Sequence, residues 1–236
     1  MKSRRPMPIA PSRRHAFWLV LMLLAASVAT AASVAGAVGL HRASKPLVML
    51  FAICLVAVRA DLSGAGARFR WILMLALACS LAGDVFLMFE GLFLPGLVAF
   101  LLAHLAYLAL FLRGLPWLPS RAAALAVALI GAAMYVFLWR GGLPAALRLP
   151  VALYVLAIGL MVAQAVGRAL RLRDGAAWRV ALGAGLFMLS DSLLATNRFV
   201  QPLPLAPLWV LGSYFIAQLL IAACARPVSD RGQSGT

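Results

Sequence analysis

Acidic residues are scarce, with 6 Asp and Glu against 21 Lys and Arg in 236 residues. So basic a chain suggests nucleic acid as a partner, but the positive residues fall between apolar segments and form no single surface stripe. They read as topology signals, and no nucleic-acid partner is expected. Cysteine is scarce too: Cys54, Cys79 and Cys224 each sit in an apolar run without C-x-x-C spacing, so they read as packing residues and not as disulfide or metal partners. Among only 3 histidines there is no H-E-x-x-H and no paired signature, so neither a metal nor a cofactor is expected. Polar stretches long enough for a soluble domain are also missing.

What is present is apolar. Hydrophobic residues make up 65% of the chain, charged residues 11%, and the mean hydropathy is +1.01. That composition implies an all-α polytopic membrane helix bundle. Apolar runs at 16–40, 47–60, 69–89, 92–112, 121–139, 150–170, 177–196 and 205–225 give eight transmembrane helices, with seven as the alternative. Most approach the ~20 residues that a ~30 Å hydrocarbon core requires. The second run is short, and His41, Arg42, Lys45 and Pro46 at one end and Arg59 at the other read as snorkelling flanks. The domain reading is a basic tail at 1–15, one transmembrane domain at 16–225 and a C-terminal tail at 226–236.

The N-terminal arginines, followed by an apolar run ending in Ala35-Gly36-Ala37, also have the profile of a cleaved signal, but the run is long enough to span. Basic residues concentrate in the two tails and in the loops after the second, fourth and sixth spans. That bias puts both termini in the cytoplasm. The expected location is a bacterial inner (plasma) membrane, with membrane lipid as neighbour and a homodimer left open.

Two aspartates interrupt this apolar text, Asp84 in Ser80-Leu81-Ala82-Gly83-Asp84-Val85-Phe86-Leu87 and Asp191 in Leu189-Ser190-Asp191-Ser192-Leu193-Leu194. A charge near the bilayer centre costs at least ~2.5 kcal/mol, so such a residue faces a bundle interior or wet cavity and has a partner. Four spans apart, the two helices run in the same direction, and the rise of about 1.5 Å per residue puts both carboxyls at one depth. His104 on the returning fourth span reaches a similar layer, with Tyr107 on its face. Ser80 shares a face with Asp84, Arg198 with Asp191, and Tyr214 with Gln218. The expectation is a polar pocket between the third, fourth, seventh and eighth helices. Tyr107, Tyr214, Gln164 and Gln218 also suit plain interhelical hydrogen bonding, and Lys45 and Arg198 suit interfacial anchoring.

Lys45-Pro46-Leu47, Gly83-Asp84-Val85-Phe86-Leu87-Met88, Gly96 with Ala99-Phe100 and Ala103-His104-Leu105-Ala106-Tyr107, Ser190-Asp191-Ser192-Leu193-Leu194-Ala195 with Asn197-Arg198-Phe199, and Tyr214 with Gln218-Leu219 follow one another in order. Together they resemble the YhhN family of membrane lysoplasmalogenases. The resemblance implies an integral membrane hydrolase whose substrate is a lysophospholipid. The enzyme would cleave the vinyl ether bond of lysoplasmalogen, or act on a related lysolipid, and release a fatty aldehyde and a glycerophospho-headgroup.

A vinyl ether is hydrolysed by protonating its β-carbon, and water captures the resulting oxocarbenium ion. The reaction needs one carboxyl that holds its proton and a second group that steadies the cation or activates the water. Asp84 and Asp191 are the expected acid and base, in either order. His104 and Tyr107 would orient the water or the acid, and Asn197 would hydrogen-bond it. Ser80, Ser190, Tyr214 and Gln218 would line the pocket, and Lys45 or Arg198 would hold the headgroup phosphate. Intramembrane Asp and His also serve proton-coupled transporters, which broken helices near the midplane would favour.

Overall fold

The computed structural model describes residues 13–228. Among them are eight long helices: α1 (Arg13–Val34), α2 (Val38–Ala57), α3 (Ala67–Leu87), α4 (Phe93–Leu112), α5 (Arg121–Arg140), α6 (Ala145–Leu172), α7 (Gly175–Phe199) and α8 (Ala206–Cys224). All eight are long and apolar enough to cross a membrane. In hydrocarbon the backbone must satisfy its own hydrogen bonds, and a helix does so within one segment. The short connections make consecutive helices antiparallel, with α1/α2, α3/α4 and α7/α8 the most extensively packed pairs; α8 also meets α1 and α2. Residues 1–12 and 229–236, most of the two expected tails, lie outside the described residues.

The chief departure from the sequence reading is at the first turn. The first span was expected to reach residue 40 and the second to begin at 47. Instead the chain reverses at Ala35–Ala37, where Gly36 takes φ +71°, a left-handed conformation that glycine adopts without steric cost. The small residues that suggested a cleavage site are therefore a hairpin turn. Helix α2 starts at Val38 and carries His41, Arg42 and Lys45 inside its first two to three turns, with Pro46 within the helix. The second span is 20 residues long, and Lys45 belongs to its wall, not its flank. Arg42 Nη2 donates to Met88 O (3.3 Å) at the end of α3, and its guanidinium lies 5.3 Å from the Phe89 ring centroid.

Helices α3 and α4 approach closely through two glycines. A Cβ on Gly83 would lie 2.5 Å from the Phe100 ring, and one on Gly96 would lie 2.7 Å from Leu87. Small residues at a helix crossing allow this approach in a bilayer, and here they seat Phe100 beside Asp84.

Two buried arginines fasten the opposite end of the bundle. Arg168 of α6 donates to Phe111 O (3.4 Å), Arg113 O (3.1 Å) and Arg226 O (2.7 Å). Arg59 donates to Ala222 O at the end of α8 (2.6 Å) and grips Asp61 bidentately at 3.2 and 2.7 Å, and Arg226 Nε stands 3.6 Å from Asp61. Partial burial pushes the Asp61 carboxyl up, but the Arg59 fork and the nearby Arg226 charge outweigh it and hold the group below its ordinary value. A carboxyl lowered in the folded state stabilises the fold above its ordinary pKa, and that stability is lost as pH falls through the lowered value. Asp61→Asn is therefore expected to lower the thermal midpoint in detergent at neutral pH, with the gap to wild type closing below about pH 4.

Candidate active site

Asp84 comes one turn before the end of α3, where Gly83 draws α4 close. Lys45 enters seven residues along α2 and Tyr214 eight residues along α8, while Asp191 stands eight residues before the end of α7. At 1.5 Å per residue these last three lie about 11 to 12 Å from the same end of the bundle.

Asp84 is 1% exposed. Its Oδ1 is 3.0 Å from Lys45 Nζ, and its Oδ2 accepts from the Tyr214 hydroxyl at 2.7 Å. Gln218 Nε2 donates to that hydroxyl (3.3 Å), and the Tyr107 hydroxyl donates to Gln218 Oε1 (2.6 Å). A polar chain thus runs from α4 through α8 to a carboxyl on α3 and an ammonium on α2. Burying either charge alone would be costly, but each satisfies the other, and a hydroxyl takes the second carboxylate oxygen.

Asp191 has a different setting. Its Oδ2 accepts from the Tyr154 hydroxyl of α6 at 2.6 Å. His104 Nε2 stands 3.7 Å from the same oxygen, beyond hydrogen-bond reach, and neither ring nitrogen of the fully buried His104 has a hydrogen-bond partner among the described residues. The imidazole is packed edge-on against Tyr154 and Phe187, at centroid distances of 5.0 and 4.7 Å.

Both aspartates line one cavity of about 220 Å³, together with Lys45, His41, Asn197 and Tyr214. Ser33 at the end of α1 and Ala206 and Pro207 at the start of α8 also line it, so it extends toward the end of the bundle where those helices meet. The expected pocket between the third, fourth, seventh and eighth helices is therefore also walled by α1 and α2.

The remaining expected residues divide by what they touch. Ser190 lines the cavity while its hydroxyl donates to Val210 O (2.8 Å), tying α7 to α8. Asn197 also lines it, with Oδ1 accepting from Leu203 N (2.8 Å) to pin the α7–α8 connection. Ser80 is fully buried and donates to Ala76 O of its own helix (3.0 Å). Arg198 is exposed, outside that cavity's lining, with its guanidinium 4.3 Å from the Phe93 ring centroid. Lys45, expected to meet a headgroup phosphate, lines the cavity with its ammonium paired to Asp84. Tyr154 was missed. A signal was present: a tyrosine inside an apolar span needs a partner for its hydroxyl, and all four tyrosines of the chain have one.

Fold and site define a polytopic membrane protein with one buried and one partly buried carboxyl, in unlike surroundings, on one cavity. The YhhN family profile matches residues 40–225, and the chain belongs to the YhhN family. It is 37% identical over 150 residues to lysoplasmalogenase TMEM86B of Homo sapiens, a match covering 64% of this chain and 61% of the human protein. It is 40% identical over 147 residues to the Sus scrofa protein of that name, covering 62% and 60%. Against the lysoplasmalogenase of Mycobacterium bovis it is 31% identical over 254 residues, covering 98% of this chain and 93% of that one. No solved structure matches the chain.

Proposed function

We propose that this protein is an integral membrane hydrolase that cleaves the vinyl ether bond of a lysoplasmalogen, or of a related lysolipid. The observation that carries the reading is the pair of carboxyls from α3 and α7 facing one polar cavity inside an otherwise apolar bundle. The lysoplasmalogenase names of the relatives support the substrate class.

The surroundings suggest a division of labour. Asp84, matched to an ammonium and a hydroxyl donor, acts as the carboxylate. Asp191, held by the neutral Tyr154 hydroxyl, acts as the acid. Asp191 gives its proton to the β-carbon of the vinyl ether, and the cation that forms on the ether carbon is steadied by the Asp84 carboxylate. Water adds to that carbon as Asp84 takes its proton, giving a hemiacetal. The hemiacetal then breaks its bond to the glycerol oxygen, which leaves with the proton that Asp84 took from the water, while the other oxygen becomes the aldehyde carbonyl. The hemiacetal hydroxyl proton passes to Asp191, so both carboxyls end as they began. Tyr154 orients Asp191 by its hydrogen bond, His104 packs edge-on against Tyr154, and Tyr214 with Gln218 orients Asp84. Asn197 and His41 form the polar wall beside the headgroup.

Proton-coupled transport is less well supported, because α3 and α7 run as unbroken helices through both aspartates where discontinuous helices would favour it. The basic loops support cytoplasmic termini, and the near full-length bacterial relative supports a plasma-membrane location. The test is aldehyde release by purified protein in detergent. A lysoplasmalogen is expected to be cleaved and its saturated alkyl-ether counterpart to be inert. Cleavage of both, or of neither, would contradict the reading.

A further inference from the structure

Behind Asp191 lies a second, smaller cavity of about 70 Å³, formed where α4, α5, α6 and α7 meet. Its walls are apolar and include Leu97, Met134, Leu138, Val151, Val155 and Ala195. Leu138 of α5 is 2% exposed, and Val151 of α6 is 5% exposed, although α5 is peripheral, with Leu125 and Leu129 of α5 63% and 62% exposed. The inward side of α5 is thus set apart from its lipid-facing side. Asp191, Leu87, Phe100 and Leu194 line both this cavity and the polar one. A carboxyl therefore stands at the junction between a polar chamber and an apolar one, as the junction of a lysolipid's headgroup and chain requires.

Resting on the function proposed above, we infer that the apolar cavity is a subsite for the first carbons of the alkenyl chain, and that Leu138, Val155 and Met134 decide which chains are accepted. With the headgroup side in the polar cavity, this threading puts the double bond beside Asp191. At about 30 Å³ for a water-sized group, 70 Å³ accepts on the order of two such groups. The rest of the chain must pass on between helices into lipid. The subsite therefore reads bulk close to the ether and ignores total chain length.

The experiment compares kcat/KM for three vinyl-ether lysolipids sharing one headgroup: a long straight chain, a shorter straight chain, and a long chain with a methyl branch on the third carbon. Wild type is expected to treat the two straight chains alike and to disfavour the branched one by about tenfold or more, the size of effect one misfitting methyl group has in a shaped pocket. Leu138→Ala and Val155→Ala are expected to bring that ratio toward one, whereas the lipid-facing control Leu129→Ala leaves it unchanged. Because the ratio is taken within one preparation, partial misfolding of a variant does not alter it. Equal rates for branched and straight chains in wild type, or ratios unmoved by the two alanines, would overturn the inference. Absence of aldehyde from the straight chains would instead overturn the functional reading, and the subsite with it.

Discussion

Asp191→Asn is expected to lower vinyl ether turnover by about 10²- to 10⁴-fold, the usual range for a lost general acid, while insertion and thermal midpoint stay near wild type. The amide can still accept the Tyr154 hydroxyl bond that Asp191 Oδ2 accepts at 2.6 Å, and among the described residues no Lys or Arg is paired with Asp191. What disappears is the transferable proton. Asp84→Asn is expected to be as inactive but also less stable, because it leaves the Lys45 ammonium, 3.0 Å away, without its counter-charge. The two variants separate chemistry from structure: similar loss of turnover, unequal loss of stability. Full turnover in either, with normal insertion, would remove the mechanism.

Lys45→Met is the converse case. The side chain is 10% exposed and the Asp84 side chain 2%, so removing the cation strands a buried carboxylate, an error that typically costs about 3–5 kcal/mol. Unfolding in detergent should show that loss. The double variant Lys45→Met with Asp84→Asn removes both charges and keeps an acceptor for the Tyr214 hydroxyl. It is expected to regain most of the stability and none of the activity. An additive double variant, as unstable as the two single losses combined, would mean that Lys45 and Asp84 do not act as a pair.

The eight spans were legible because a bilayer demands length and hydropathy, and a linear sequence carries both. The two carboxyls were legible for the same reason: a charge in an apolar run has few explanations. Tyr214 and Gln218, four residues apart on one face of α8, do lie on one hydrogen-bonded chain, with Tyr107 at its far end. What stayed hidden was which helix meets which. Hydropathy offers no break at Ala35–Ala37, since alanine and glycine continue the apolar run even where Gly36 turns the backbone. Without that hairpin Lys45 reads as a flank and Asp84 has no cation beside it. Tyr154 went unread because α6 has no acidic residue to draw attention to its polar groups. Arg198 shares a helical face with Asp191, but at the end of α7 its guanidinium turns to the Phe93 ring, a contact that periodicity along one helix does not encode.

The most direct test of the central claim, that a carboxyl held in this cavity protonates carbon, is hydrolysis of a lysoplasmalogen in deuterium oxide with the aldehyde trapped at once by reduction. The account predicts one deuterium on the carbon next to the former carbonyl, delivered to one face and therefore present as a single enantiomer. Racemic deuterium at that carbon, as from an enol released to solution, or none at all, would contradict it.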